Sequence, residues 1–155
     1  MKNSKGGFTL IEMLVVVAII GLLSSVILTA LGPAKNKAKD ARIMQEVNQV
    51  RSLAETMYNG TYAGLQELPA QTIADPNLSQ LATDITSEGG ALNIIKSSDE
   101  RTYLAFSQLN TTVTDPTTQT QVTQYYCVDS SGHADFLITE PDYNQIKSAP
   151  TAVCQ

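Results

Sequence analysis

Phe8 to Leu31 reads FTLIEMLVVVAIIGLLSSVILTAL, and Glu12 is the only formal charge in it. As a helix rising 1.5 Å per residue it would be about 36 Å long, enough to cross a hydrocarbon core of roughly 30 Å with some tilt. The preceding Met1-Lys2-Asn3-Ser4-Lys5-Gly6-Gly7 is short, basic and small at its end, in the manner of the n-region of an export signal. An ordinary secretory signal has a shorter apolar core with its small-residue cleavage site after it. Here the small pair comes before the run, so the apolar helix is expected to stay with the mature chain.

Composition bounds the rest. With 155 residues, 43% of them hydrophobic and 16% charged, and a formal net charge of −5, the chain is one domain's worth. It is too polar for several membrane spans and too apolar for disorder. One His and two Cys cannot furnish a four-ligand structural zinc site. A Cys/His nucleophilic pair would have to use His133 with Cys127 or Cys154. Glu12 needs a reason, since a carboxylate in a spanning helix costs a few kcal/mol and usually marks a functional contact. No basic residue lies within one turn of it. A chain cut after Gly7 would expose the α-amino group of Phe8, a positive charge of suitable depth for the Glu12 of a neighbouring copy. The plainer reading is a hydrated carboxylate near the interface.

Lys5-Gly6-Gly7-Phe8-Thr9-Leu10-Ile11-Glu12, followed by the apolar run, resembles the class III leader of type IV pilins and pseudopilins. A short basic leader, Gly before the cut, Phe after it and Glu at the fifth mature position coincide, and the close match covers roughly Lys5 to Leu31. The resemblance implies that a membrane prepilin peptidase cuts between Gly7 and Phe8 and methylates the Phe8 amine. Glu12 then guides each subunit into a helical filament, while an assembly ATPase, membrane platform proteins and minor pilins act as partners. It also implies a single-pass membrane protein with an exported head that ends in a surface filament, with lipid around the helix before assembly.

Gly32-Pro33 is expected to break the helix, since Pro removes a hydrogen bond and clashes with the preceding turn. The family's own helix breaker would fall at Thr29, so Pro33 is a departure, and melting there in a filament is a hypothesis. Ile43, Val47, Val50, Ala54 and Met57 then form one apolar stripe on an amphipathic helix, ended by Asn59-Gly60. This divides the chain into a leader (1–7), a membrane and assembly helix (8–31), an amphipathic half (32–59) and a head (60–155). The amphipathic half carries five basic residues (Lys35, Lys37, Lys39, Arg42, Arg51) and three acidic ones (Asp40, Glu46, Glu55), a net of +2, while the head is at −8. That contrast favours head-to-stalk contacts between copies within a Debye length of roughly 8 Å, and it argues against a head that binds nucleic acid. Counting Lys and Arg beside the span would place the head inside. The leader and the cysteines place it outside.

The head is expected to be α+β, a small antiparallel sheet packed on the amphipathic helix. Asp75-Pro76 serve as N-cap and first residue of a short helix with Leu78, Leu81, Ala82 and Ile85 on one side, closed by Gly89-Gly90. Strands are predicted at 102–109, 122–128 and 134–139, the last two joined by a turn at Ser130-Ser131-Gly132. Asn110 to Gln121 reads as a polar loop, and the segment from Glu140 onward as an irregular tail. In an exported protein Cys127 and Cys154 suggest a disulfide tying that tail to the sheet, contributing roughly 3 to 4 kcal/mol, as in the C-terminal loop of many pilins. His133 with Asp129, Ser130, Ser131 and Asp135 offers the raw materials of a triad, but a tight turn accounts for them better. Asp129 and Asp135 lack the pattern of a calcium loop, and no cofactor or metal is expected. Three functions stand: a pilus subunit for adhesion, twitching motility or DNA uptake; a pseudopilin of a secretion or competence machine; and a monomeric membrane-tethered binding protein or enzyme. The expectation overall is a protein that is not an enzyme.

Overall fold

The computed structural model describes residues 7–142, 146, 147 and 154, with Ala30 by its backbone alone. The elements are α1 (Leu10–Met57), α2 (Pro76–Ser87), β1 (Leu92–Lys96), β2 (Tyr103–Thr114), β3 (Gln121–Asp129) and β4 (Ala134–Leu137). The fold is α+β, and the chain divides into two compact units, one up to Lys35 and the other from Asn36.

In the first unit every described side chain from Phe8 to Leu31 is exposed, since apolar residues occupy all faces of α1 and no other element of the unit covers them. Gly32 and Pro33, expected to break the helix, lie inside α1. Proline's fixed φ is itself helical, and its cost is one local hydrogen bond and roughly 3 kcal/mol. Helix already formed on both sides propagates through that loss.

In the second unit the strands form an antiparallel meander in the order β1-β2-β3-β4. Ile43, Val47, Val50 and Ala54 of α1 are fully buried against one face of the sheet, with Ile94, Tyr103, Ala105, Tyr126 and Val128 among its contributors and Leu78, Leu81 and Ile85 of α2 alongside. The opposite face carries a second cluster of Ile95, Leu104, Phe106 and Cys127, covered by Cys154 with Leu137 and Ile146 packed on it. The centre of the sheet is therefore buried on both sides, by helices on one and by Cys154 and Ile146 on the other.

Asp75 caps α2 as expected, its carboxylate accepting the Leu78 amide at 2.8 Å, and Pro76 follows it in the first turn. Gly89 has φ +94, and a Cβ on Gly90 would lie 2.6 Å from Ser107 Oγ and 2.8 Å from Ile85 Cγ2. Two other expectations fail. β1 is a strand the sequence reading omitted, and Leu68 pairs with Ile94 along its outer edge. Nor is Asn110 to Gln121 a loop: β2 runs to Thr114 and β3 starts at Gln121. A tight turn joins them, in which the Asp115 carboxylate accepts the Thr117 amide at 2.7 Å. The β-branched residues Thr111, Thr112, Val113, Thr114, Val122 and Thr123 suit a solvated hairpin arm. β4 ends at Leu137, short of the expected Thr139, and most of the tail from Glu140 onward lies outside the described residues.

Candidate functional site

Thr9 and Glu12 form a reciprocal cap at the start of α1. The Glu12 amide donates to Thr9 Oγ1 at 3.3 Å, while Glu12 Oε2 accepts the Thr9 amide and the Thr9 hydroxyl, both at 2.7 Å. This is the capping box of a helix N-terminus, in which two orphan amides are satisfied by two side chains. It lowers the cost of a carboxylate in an apolar helix, and it gives Thr9 a part the sequence reading missed, although the Thr-x-x-Glu spacing was there to be seen. Gly7 and Phe8, the expected cleavage and methylation positions, lie immediately before this cap. Phe8 is 79% exposed, and among the described residues nothing stands within 4 Å of where a Gly7 side chain would be.

Cys127 and Cys154 are joined by a disulfide with 6.0 Å between their Cα atoms, which places Cys154 on the outer face of the sheet. Beside it, Asp129 is fully buried. Its Oδ1 accepts the Ser131 and His133 amides at 2.8 and 3.0 Å, and its Oδ2 meets His133 Nδ1 at 3.2 Å and the Cys154 amide at 3.0 Å. Of the residues considered for a triad or a calcium loop, Asp129, Ser130, Ser131 and His133 thus come together at the β3–β4 turn, while Asp135 lies in β4 with its carboxylate accepting the Phe136 amide. The Ser130 hydroxyl is turned to the Tyr103 amide instead, and the His133 side chain is 63% exposed. Among the described residues no group of three or more His, Cys, Asp or Glu is placed to hold a metal ion.

Several stalk charges are engaged with the head of the same chain. Asp40, buried on α1, accepts the Asn110 and Thr111 amides at 2.6 and 3.0 Å, and the Asn110 side-chain amide and Thr111 hydroxyl also donate to it. These groups sit where the β2–β3 register shifts between Gln108 and Thr112, so Asp40 satisfies amides that a bulge removes from the ladder. Arg42 pairs with Glu88, Lys39 Nζ donates to the Glu88 carbonyl at 3.4 Å, and Arg51 donates to the His133 carbonyl. Between α1 and α2 a cavity of about 460 Å³ is lined by Glu46, Gln49, Thr56, Asn77, Gln80 and Asp84, among others. Burial and the neighbouring Asp84 push the Glu46 carboxyl above its ordinary range, against the pull of Arg42.

α1 contains a stretch long and apolar enough to cross a membrane by length and composition. Residues 2–28 match the prokaryotic N-terminal methylation motif. The type IV major fimbrial protein FimA of Dichelobacter nodosus is 38% identical over 65 residues, 41% of this chain and 42% of that protein. Two further FimA sequences from the same organism are 39% identical over 56 residues, covering 36% and 35% of their own lengths. The chain thus spans about two-fifths or less of each of these relatives. No solved structure matches it significantly. In its methylation motif, its similarity to fimbrial proteins and its α+β head behind a long apolar helix, the chain resembles the type IV pilins.

Proposed function

We propose that the chain is a structural subunit of a type IV pilus, serving adhesion, twitching motility or DNA uptake. The observation that carries this is the first half of α1. Its apolar side chains are exposed on every face, at a cost in water of roughly 25 cal/mol for each Å² left uncovered. Lipid covers that surface before assembly and other copies of the helix cover it afterwards. A simple tether would need the lipid alone; what favours the filament is the methylation motif and the similarity to fimbrial proteins.

In this reading residues 1–7 are a leader, 8–31 the membrane and assembly helix, 32–59 its amphipathic continuation and 60–155 an exported head. A prepilin peptidase cuts between Gly7 and Phe8 and the new amine is N-methylated. Both Thr9 bonds fall on Glu12 Oε2; in the filament Oε1 would then accept from the Phe8 amine of a neighbouring copy, setting register while apolar packing supplies the affinity. An assembly ATPase, platform proteins and minor pilins complete the machine, and the product is a homopolymer on the cell surface.

Protein sheared from the surface tests this by intact mass and N-terminal sequencing. A chain beginning at methylated Phe8 is expected, and Glu12→Ala is expected to abolish recoverable filaments while the head still folds. A full-length chain beginning at Met1, confined to membranes and indifferent to Glu12→Ala, would leave a tethered monomer instead.

A further inference from the structure

Cys154 is held to the sheet at two points, only one of them covalent. Its sulfur bonds Cys127, and its backbone amide donates to Asp129 Oδ2 at 3.0 Å. Cys127 and Asp129 are two apart on β3, so both side chains leave the same face of the sheet; Cys127 lies opposite Phe106 and Asp129 opposite Leu104. The Asp129 carboxylate is wholly buried, and a buried carboxylate must have its acceptor sites filled. The β3–β4 turn fills Oδ1 with the amides of Ser131 and His133. The only backbone amide on Oδ2 among the described residues is that of Cys154; its other contact is the ring of the exposed His133. Ile146 also packs against the same outer cluster, independently of the sulfur bond.

We infer that Asp129 is a docking point that seats Cys154 on the sheet before the disulfide closes, so that the bond to Cys127 seals a segment already in place. This goes beyond the filament reading and does not depend on it. The covalent step is ordinary thiol–disulfide exchange, here with oxidised glutathione as the oxidant. One cysteine thiolate attacks a glutathione sulfur, expelling one glutathione thiolate and forming a mixed disulfide. The second thiolate then attacks that protein sulfur and expels the other glutathione. Two protein thiols are oxidised and one glutathione disulfide is reduced to two thiols, the two protons lost by the protein thiols passing through solvent to the expelled glutathione thiolates. Asp129 takes no part in the electron transfer. It is a positioning residue that raises the effective concentration of one thiol at the other.

The test uses the full chain in detergent micelles. In the C127A/C154A variant, which can form no bond, the amide of residue 154 is expected to exchange with solvent at least about tenfold more slowly than in a free chain. Adding D129N should restore the free-chain rate there while amides of β3 and β4 keep their protection. Exchange at the free-chain rate with Asp129 intact would overturn the proposal. Glutathione titration of the unaltered cysteine pair is the second arm. D129N should lower the effective concentration by about tenfold or more, the worth of one hydrogen bond to a charged acceptor. Gly132→Ala strains the same turn, where φ is +92, but leaves the Cys154 acceptor untouched, so it should shift that value by no more than about twofold. Equal values for the native chain and D129N would overturn the proposal, and so would a G132A loss as large as that of D129N.

Discussion

The first and second halves of α1 use apolar residues in opposite ways. From Phe8 to Leu31 they occupy every face, and all the described side chains there are exposed. From Ile43 to Ala54 they fall on one stripe, and each residue of the stripe is fully buried. A stripe chooses a side, so the fold can place a sheet against it; a helix apolar all round chooses none and must find its solvent outside the chain. Burial within the chain and the assembly proposed for the exposed half are therefore separable in this one helix, and substitutions can address them separately.

The largest separation should come from two matched isoleucines. Ile43→Ala opens a cavity in the head core and should cost about 2 to 5 kcal/mol in denaturant unfolding of the detergent-solubilised chain. Ile20→Ala, at a residue 56% exposed, should leave the unfolding of the head within about 0.5 kcal/mol. Equal losses at the two positions would mean that the apolar half contributes to head stability, and the contrast between the halves would fail.

The next effect sharpens how a polar residue on the buried side behaves. Asp40 joins α1 to the bulge of β2, and its removal leaves the Asn110 and Thr111 amides without their acceptor. Asp40→Ala should cost about 1 to 3 kcal/mol. Amide exchange should rise first at residues 109–112 rather than throughout the sheet. Uniform loosening would show that Asp40 supports the core and not the bulge.

That same bulge marks the limit of what the sequence made legible. The apolar run, the stripe, the Asp75-Pro76 cap and the turn at Ser130 to Gly132 were all readable, because each is written in local periodicity or turn chemistry. β1 was not, because Leu92, Ile94, Ile95 and Lys96 are all buried and a strand covered on both faces shows no alternation. The outer arm of β2 and β3 was missed for the reverse reason. Its Thr-rich residues bury little, and only the Asp115-Pro116 turn signal hinted at a hairpin. At the N-terminus Glu12 was found by its charge in an apolar run, whereas Thr9 needed attention to the capping spacing. Asp129 drew notice as a catalytic or metal-binding prospect, yet its partners are backbone amides brought in from the turn and from Cys154, a contact no local pattern encodes. Pro33 was over-read, since one missing hydrogen bond does not outweigh the helix on either side of it.

A third probe is alkaline pH, which reaches tyrosines of the head packed beyond the striped half of α1. Tyr58, Tyr62 and Tyr103 form a chain of rings with centroids 4.8 Å apart at each step. Burial, the hydrogen bond to Glu55 and the carboxylate charge push the Tyr62 hydroxyl up to about 12, and burial raises that of Tyr103 as well. An acid whose folded pKa lies above its unfolded one favours folding below the unfolded value, about 10 for tyrosine. That contribution is lost as pH rises through the folded value. The head should therefore weaken between pH 10 and 12, and Tyr62→Phe should flatten that slope. An unchanged slope would assign the alkaline loss to Tyr103 or to other groups.

The smallest effect concerns the pair Arg42 and Glu88, where charge rather than burial joins α1 to the head. The Arg42 side chain is 71% exposed against 16% for Glu88, so solvent screens the pair from one side, and ordering a long arginine offsets part of the attraction. Arg42→Ala should then cost no more than about 1 kcal/mol, and the difference should shrink as salt is raised. Glu88 also receives Lys39 at its backbone carbonyl, a bond that survives loss of the arginine and keeps the end of α2 near α1. A cost close to that of Ile43→Ala, persisting in high salt, would mean that charge holds this end of α2 as firmly as the apolar stripe holds the sheet. The simple division of α1 into an apolar half left exposed by the chain and a striped half for folding would then need a third element, set by electrostatics.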